Sequence, residues 1–95
     1  MVVLIVEDEF LIRMNAVDMI EACGFHSADA KNADDAIAIL EARDDVRVIF
    51  TDIQMPGSMD GLKLAAAVRD RWPSIAIIAT SGAVDVRDKL PAGGG

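Results

Sequence analysis

Glu7, Asp8 and Glu9 follow directly on the apolar run Val2-Val3-Leu4-Ile5-Val6, and Asp52 follows directly on Val48-Ile49-Phe50-Thr51. A short run of β-branched and aliphatic residues is the pattern of a strand buried on both faces of a parallel sheet. A carboxylate at the carboxyl end of such a strand stands where the sheet opens to solvent. If the two strands are neighbours, Glu7, Asp8 and Asp52 share one pocket. Carboxylates that close repel one another unless a cation lies between them. The chemistry this donor set supports is binding of a hard divalent metal through oxygen, with an aspartate beside it placed for chemistry. One acid after one strand is an ordinary loop residue or helix cap. Acids after two separate apolar runs, with Thr80-Ser81 after a third, form a pattern.

The elements that must position these acids alternate in type. Residues 2–6 form a strand. Residues 9–22 form a helix, because Phe10, Met14, Val17 and Ile20 recur at helical spacing and Gly24 is placed to stop it. Phe25 to Ala30 is a strand with weak support from its own residues. Asn32 caps a second helix with Asp34 and Asp35 in its first turn, Ala36, Ile37, Ile39 and Leu40 on its apolar face, and a fading end near Arg43-Asp44-Asp45. Residues 47–51 are the next strand, and Met55-Pro56-Gly57-Ser58-Met59 is a loop. Asp60 caps a third helix from Gly61 to about Arg71, with Leu64, Ala65 and Val68 inward and Trp72-Pro73 ending it. Residues 75–80 are a further buried strand, Ser81-Gly82 a turn, and Val84 to Leu90 a short helix closed by Pro91. This alternation implies right-handed crossovers and a parallel α/β sheet covered by helices on both faces. Such sheets bind ligands outside the strand ends where the strand order reverses. If the strand order is 2-1-3-4, that switch lies between the ends at Val6 and Thr51, the two followed by acids.

The 95 residues suggest one small domain, with no internal repeat and no linker. Hydrophobic residues make up 53% of the chain and aromatics only 4%, so the core is built from Val, Ile, Leu, Ala and Met. The net charge of −7 argues against holding a nucleic-acid backbone or an anionic membrane surface, and suits a basic partner or a bound cation. Cys23 is the single cysteine; in Ala22-Cys23-Gly24 it reads as a buried reduced thiol at a helix end, which fits a reducing compartment. No apolar stretch approaches the roughly 18 residues of a membrane span, and no basic segment precedes the first apolar run as in a signal peptide, so the expected location is cytoplasmic. His26 lacks a partner motif and is expected to be a partly exposed strand or turn residue.

Val6-Glu7-Asp8-Glu9, Thr51-Asp52-Ile53-Gln54-Met55-Pro56, Met59-Asp60-Gly61 and Ala79-Thr80-Ser81-Gly82, in this order and spacing, resemble the receiver domain of two-component response regulators across essentially the whole chain. The resemblance implies a flavodoxin-like, doubly wound parallel sheet of strand order 2-1-3-4. It implies that Asp52 accepts a phosphoryl group from a phosphohistidine on a sensor histidine kinase or a histidine phosphotransfer protein. It implies Mg²⁺ held by Glu7, Asp8, Asp52 and the backbone carbonyl of Gln54, and a Thr80 hydroxyl offered to the phosphoryl oxygens. Gln54 and Gly82 would flank the acceptor and tune how fast water removes the phosphate. The implied role is that of a phosphoacceptor signalling domain rather than an enzyme. Ser58 makes the loop one residue longer than the commonest family form.

Receivers also have a fifth strand ending in a lysine followed by proline, then a fifth helix. The lysines here are Lys31, Lys63 and Lys89, and none follows a buried strand. Residues 1–95 therefore read as a C-terminally truncated receiver-like domain, with the fifth βα unit absent from the chain. The strand at 75–80 would then be a sheet edge that recruits a second copy, giving a homodimer or an exchange of elements. Lack of the lysine would weaken phosphorylation. The alternative is a receiver-like interaction or dimerisation module that is not productively phosphorylated. Turnover enzymes of the haloacid-dehalogenase or topoisomerase-primase type would carry a second Asp where Gln54 stands, which argues against them.

Overall fold

The computed structural model describes residues 1–52 and 61–80. Within them strands and helices alternate: β1 (Val2–Val6), α1 (Phe10–Ala22), β2 (His26–Ala30), α2 (Ala33–Ala42), β3 (Val46–Asp52), α3 (Gly61–Arg71) and β4 (Ala76–Thr80). The strands form one sheet in the order β2-β1-β3-β4, and every pairing is parallel. This is the flavodoxin-like order that the family resemblance implies. The Met55–Met59 loop, the Asp60 cap, the Ser81-Gly82 turn and the helix expected at 84–90 lie outside the described residues.

β1 sits inside the sheet and all its residues are buried. Alternate side chains leave a strand on opposite faces. Val2, Leu4 and Val6 accordingly pack with Ala33, Ala36 and Leu40 of α2 and with Leu64 and Val68 of α3. Val3 and Ile5 pack on the other face with Ile20 of α1, Val48 and Phe50. Helices on both faces explain why β1 reads as an unbroken apolar run. β3 needs one adjustment. Val2 pairs with Val46 and Val3 with Val48, so the register shifts at the start of the strand. The shift leaves Arg47 exposed and sends Val46 and Val48 to opposite cores, although they are two residues apart.

β2 is the strand least evident from its composition, and its contacts show why it forms. Ala28 and Ala30 belong to the α2–α3 face. The alternate residues make polar contacts with α1 instead: Ser27 Oγ donates to Glu21 Oε2 at 2.9 Å, and Arg13 Nε donates to Asp29 Oδ2 at 3.0 Å.

α1 begins at Phe10, one residue later than expected, with Glu9 as an extended N-cap residue. Its C-terminus closes by two bonds, Gly24 N to Glu21 O at 3.0 Å and Phe25 N to Ile20 O at 3.3 Å. Gly24 takes φ +90°, a conformation that costs a side-chain-bearing residue free energy. Phe25 and Ile20 then meet in the same apolar cluster. Two residues on this helix are more exposed than the sequence suggests. Phe10 is 62% exposed because the helix starts beyond the end of β1, where no sheet lies beneath it. Cys23 is exposed rather than buried, since it caps the helix on its solvent side.

Asn32 caps α2 as expected, its Oδ1 accepting from Asp35 N at 2.8 Å. Leu64, Ala65 and Val68 point inward from α3 as expected. Arg71, on an exposed face, bonds Glu41 of α2 at 2.7 Å and lies 4.4 Å from the centroid of the Trp72 ring. β4 is less enclosed than its composition suggests. Ile77 and Ile78 reach the two apolar clusters, whereas Ala76 and Ala79 are exposed, because β4 is the outermost strand among the described residues. Among the described residues no helix is long and apolar enough to cross a membrane.

Candidate functional site

The sheet register brings the acidic segments to one edge. Val6 pairs with Thr51 across the parallel β1–β3 ladder, and the next residues are Glu7 and Asp52. Asp52 in turn pairs with Thr80 across β3 and β4. Adjacent strands lie about 4.8 Å apart. Glu7, Asp52 and Thr80 therefore stand side by side along the backbone at the carboxyl edge of three neighbouring strands. The neighbourhood assumed for the first and third strands is present. Gln54 lies outside the described residues, as do Ser81 and Gly82.

Glu7 is only 6% exposed, whereas Asp8 and Glu9 are exposed. Its backbone is fixed from two sides: its N–H donates to Ala30 O of β2 at 3.0 Å, and its carbonyl accepts from Arg13 NH1 at 2.9 Å. Its Oε2 accepts from the Glu9 N–H at 3.2 Å, curling the turn that starts α1. A buried carboxylate is costly unless charge and hydrogen bonds compensate it. The donors at this edge are carboxylate oxygens, the set a hard ion such as Mg²⁺ prefers. Among the described residues no group of three His, Cys, Asp or Glu gathers to hold an ion. A joint site needs Asp52 of β3 beside Glu7 and Asp8.

Arg13 has no place in the sequence-derived pocket, yet its guanidinium reaches the Glu7 carbonyl, Asp29 and, at 5.6 Å, the Phe10 ring. Nothing in the local sequence marks it, because Asp29 is distant in the chain and meets it only after β2 docks beside β1. A groove of about 470 Å³ lies at the opposite end of the sheet, lined by Arg43, Val46, Arg47, Trp72 and Ile75 among others. It opens at the amino ends of the strands, away from the acids.

A family model described as the response regulator receiver domain matches residues 3–92. The nitrogen assimilation regulatory protein NtrX of Azorhizobium caulinodans is 32% identical over 91 residues, covering 95% of this chain and 20% of that protein. The sensor kinase CckA of Brucella abortus is 35% identical over 81 residues, covering 84% of this chain and 8% of that protein. The chain thus spans a fifth or less of the length of these curated relatives. Among solved structures, the response regulator TrrA of Thermotoga maritima in complex with Mg²⁺-BeF superposes with a TM-score of 0.80 at 26% identity, over 94% of this chain and 76% of that one.

Proposed function

This chain belongs to the response regulator receiver domain family, and from that membership we propose that it is a phosphoacceptor in which Asp52 takes the phosphoryl group of a phosphohistidine. The observation that carries the reading is the register: Val6 opposite Thr51 and Asp52 opposite Thr80 set Glu7, Asp52 and Thr80 on one edge of the sheet. A carboxylate oxygen of Asp52 attacks phosphorus in line with the P–N bond. The P–O bond forms as the P–N bond breaks, the electron pair leaves to the imidazole, and the product is an aspartyl phosphate. Glu7, Asp8, Asp52 and the backbone carbonyl of Gln54 would hold Mg²⁺, in keeping with the Mg²⁺-BeF complex of the Thermotoga maritima protein. Bound there, the ion relieves the repulsion between the carboxylate and the incoming phosphoryl oxygens. Thr80 donates its hydroxyl to a phosphoryl oxygen.

The donor is a sensor histidine kinase or a histidine phosphotransfer protein, and the setting is cytoplasmic. A second copy of this chain is the further partner inferred from the sequence. Light scattering over a concentration series tests that arm; a monomer throughout counts against it.

The acceptor reading is tested by incubating the protein with Mg²⁺ and acetyl phosphate and weighing it intact. The expected result is a gain of one phosphoryl group that is lost in Asp52→Asn. Continuous phosphate release without an adduct would mean a turnover enzyme instead, and no change at all would mean a bare interaction module.

A further inference from the structure

We propose that Arg13 is a positioning residue for the acidic edge: by bridging β2 to the β1–α1 turn it holds Glu7 and Asp8 in the geometry that receives the cation. This rests on the Mg²⁺ reading above. Arg13 stands on the first turns of α1, yet its side chain is only 13% exposed, low for an arginine on the surface of so small a domain. Three groups from different elements hold it there. Nε donates to Asp29 Oδ2 of β2 at 3.0 Å, NH1 donates to the carbonyl of Glu7 at 2.9 Å, and the Phe10 ring covers the guanidinium at 5.6 Å.

The fork geometry matters. A guanidinium presents several N–H donors in a fixed plane, so a carboxylate gripping Nε leaves NH1 aimed in a set direction. Here that direction is the carbonyl of the first acid of the pair. The same residue is held on its N–H side by Ala30 O at 3.0 Å, at the end of the strand that carries Asp29. β2 therefore grips Glu7 twice, directly through its backbone and indirectly through Asp29 and Arg13. The peptide that follows the bonded carbonyl is that of Asp8. Rotation of the Glu7 carbonyl away from Arg13 would swing Asp8 with it.

Position and charge make opposite predictions, which separates this proposal from a purely electrostatic role. As a charge, Arg13 repels a nearby cation, so Arg13→Met would tighten Mg²⁺ binding and Arg13→Lys would leave it unchanged. As a positioning residue, Arg13→Met weakens Mg²⁺ binding about tenfold, the change that loss of one charge-assisted hydrogen bond produces in an equilibrium. Arg13→Lys falls between, because one ammonium does not reproduce the fork.

The test is a Mg²⁺ titration of the full chain and both variants, followed through the amide NMR signals of Glu7, Asp8 and Glu9, with hydrogen exchange of the Glu9 amide measured without metal. Weaker Mg²⁺ binding together with faster Glu9 exchange in Arg13→Met supports the proposal. Unchanged or tighter binding in Arg13→Met overturns it while leaving the Mg²⁺ reading intact. Absence of any Mg²⁺ response in the parent chain overturns both, and the exchange data then still report whether Arg13 orders the turn.

Discussion

Two truncations on one helix, Ile20→Ala and Phe10→Ala, should differ several-fold in cost although the apolar periodicity treats both residues as inward. Ile20 is fully buried and packs with Val3, Ile5, Val48 and Phe50 against the α1 face of the sheet. Deleting a side chain that well enclosed costs about 2–5 kcal/mol, combining lost transfer free energy with the cavity left behind. A domain of this size is stable by about 5–14 kcal/mol. The Ile20 change therefore removes a large fraction of the margin, and with a urea slope of about 1–2 kcal/mol per molar it lowers the midpoint by about 2 M. Phe10 is 62% exposed, and its ring lies 5.6 Å from the Arg13 guanidinium. An exposed cation–π pair is worth about 0.5–1 kcal/mol. Alanine returns about 0.5 kcal/mol as a better helix former. The net effect of Phe10→Ala is within about 0.5 kcal/mol. Urea unfolding followed by far-ultraviolet circular dichroism reads both changes, with the slope as a check that the unfolded state is comparable. Equal costs at the two positions would refute the placement of the helix start beyond the sheet.

Other consequences follow from single features of the fold. Asn32→Ala should cost about 1 kcal/mol in the same urea assay, because the Asp35 N–H loses the Oδ1 acceptor that closes the first turn of α2. Gly24→Ala should cost about 1–2 kcal/mol through backbone strain alone, since φ is +90° and a Cβ there meets no atom within 4 Å. The bidentate bond from Arg43 holds the Asp45 carboxyl down at about 2. The folded value is depressed, so the contribution of this pair is present above the ordinary carboxylate range and is lost as pH falls toward about 2. A carboxyl NMR titration should place Asp45 there, move it upward in Arg43→Gln, and show the shift shrinking with salt because the pair is solvent-exposed.

How much the chain reveals by itself depends on where each element draws its stabilisation. β1 and β3 are evident because both their faces are buried, and a run such as Val2–Val6 has few other homes. α2 is evident from Asn32 and the acids of its first turn, which act locally. β2 is faint because Ser27 and Asp29 are not apolar at all; they make the strand by bonding Glu21 and Arg13 after α1 has docked. Burial is misjudged at Phe10 and Cys23 for a related reason. Periodicity and neighbours describe a helix, but whether a sheet lies beneath its first or last residue depends on where the strands end. The acidic edge was readable as a list of residues. Its register, Val6 to Thr51 and Asp52 to Thr80, depends on strand pairing that no single segment encodes.

Stability and function meet at the end of β1. Five buried residues lead directly to a carboxylate that is only 6% exposed. Placing Glu7 there is unfavourable in isolation, and the strand that leads to it is buried along its whole length and contributes to both apolar clusters. The packing of β1 therefore does more than hold the sheet together. It fixes a charged group where solvent would otherwise draw it outward, while α1 and β2 fix the turn that follows through Arg13 and Ala30. A change that loosens β1, such as Leu4→Ala, should then weaken cation binding as well as lower stability. A change of similar cost at Leu40, on α2 near the opposite end of the sheet, should lower stability and leave the acidic edge as it was. Equal losses of Mg²⁺ affinity in the two variants would mean that the edge senses global stability and has no particular dependence on the strand that bears it.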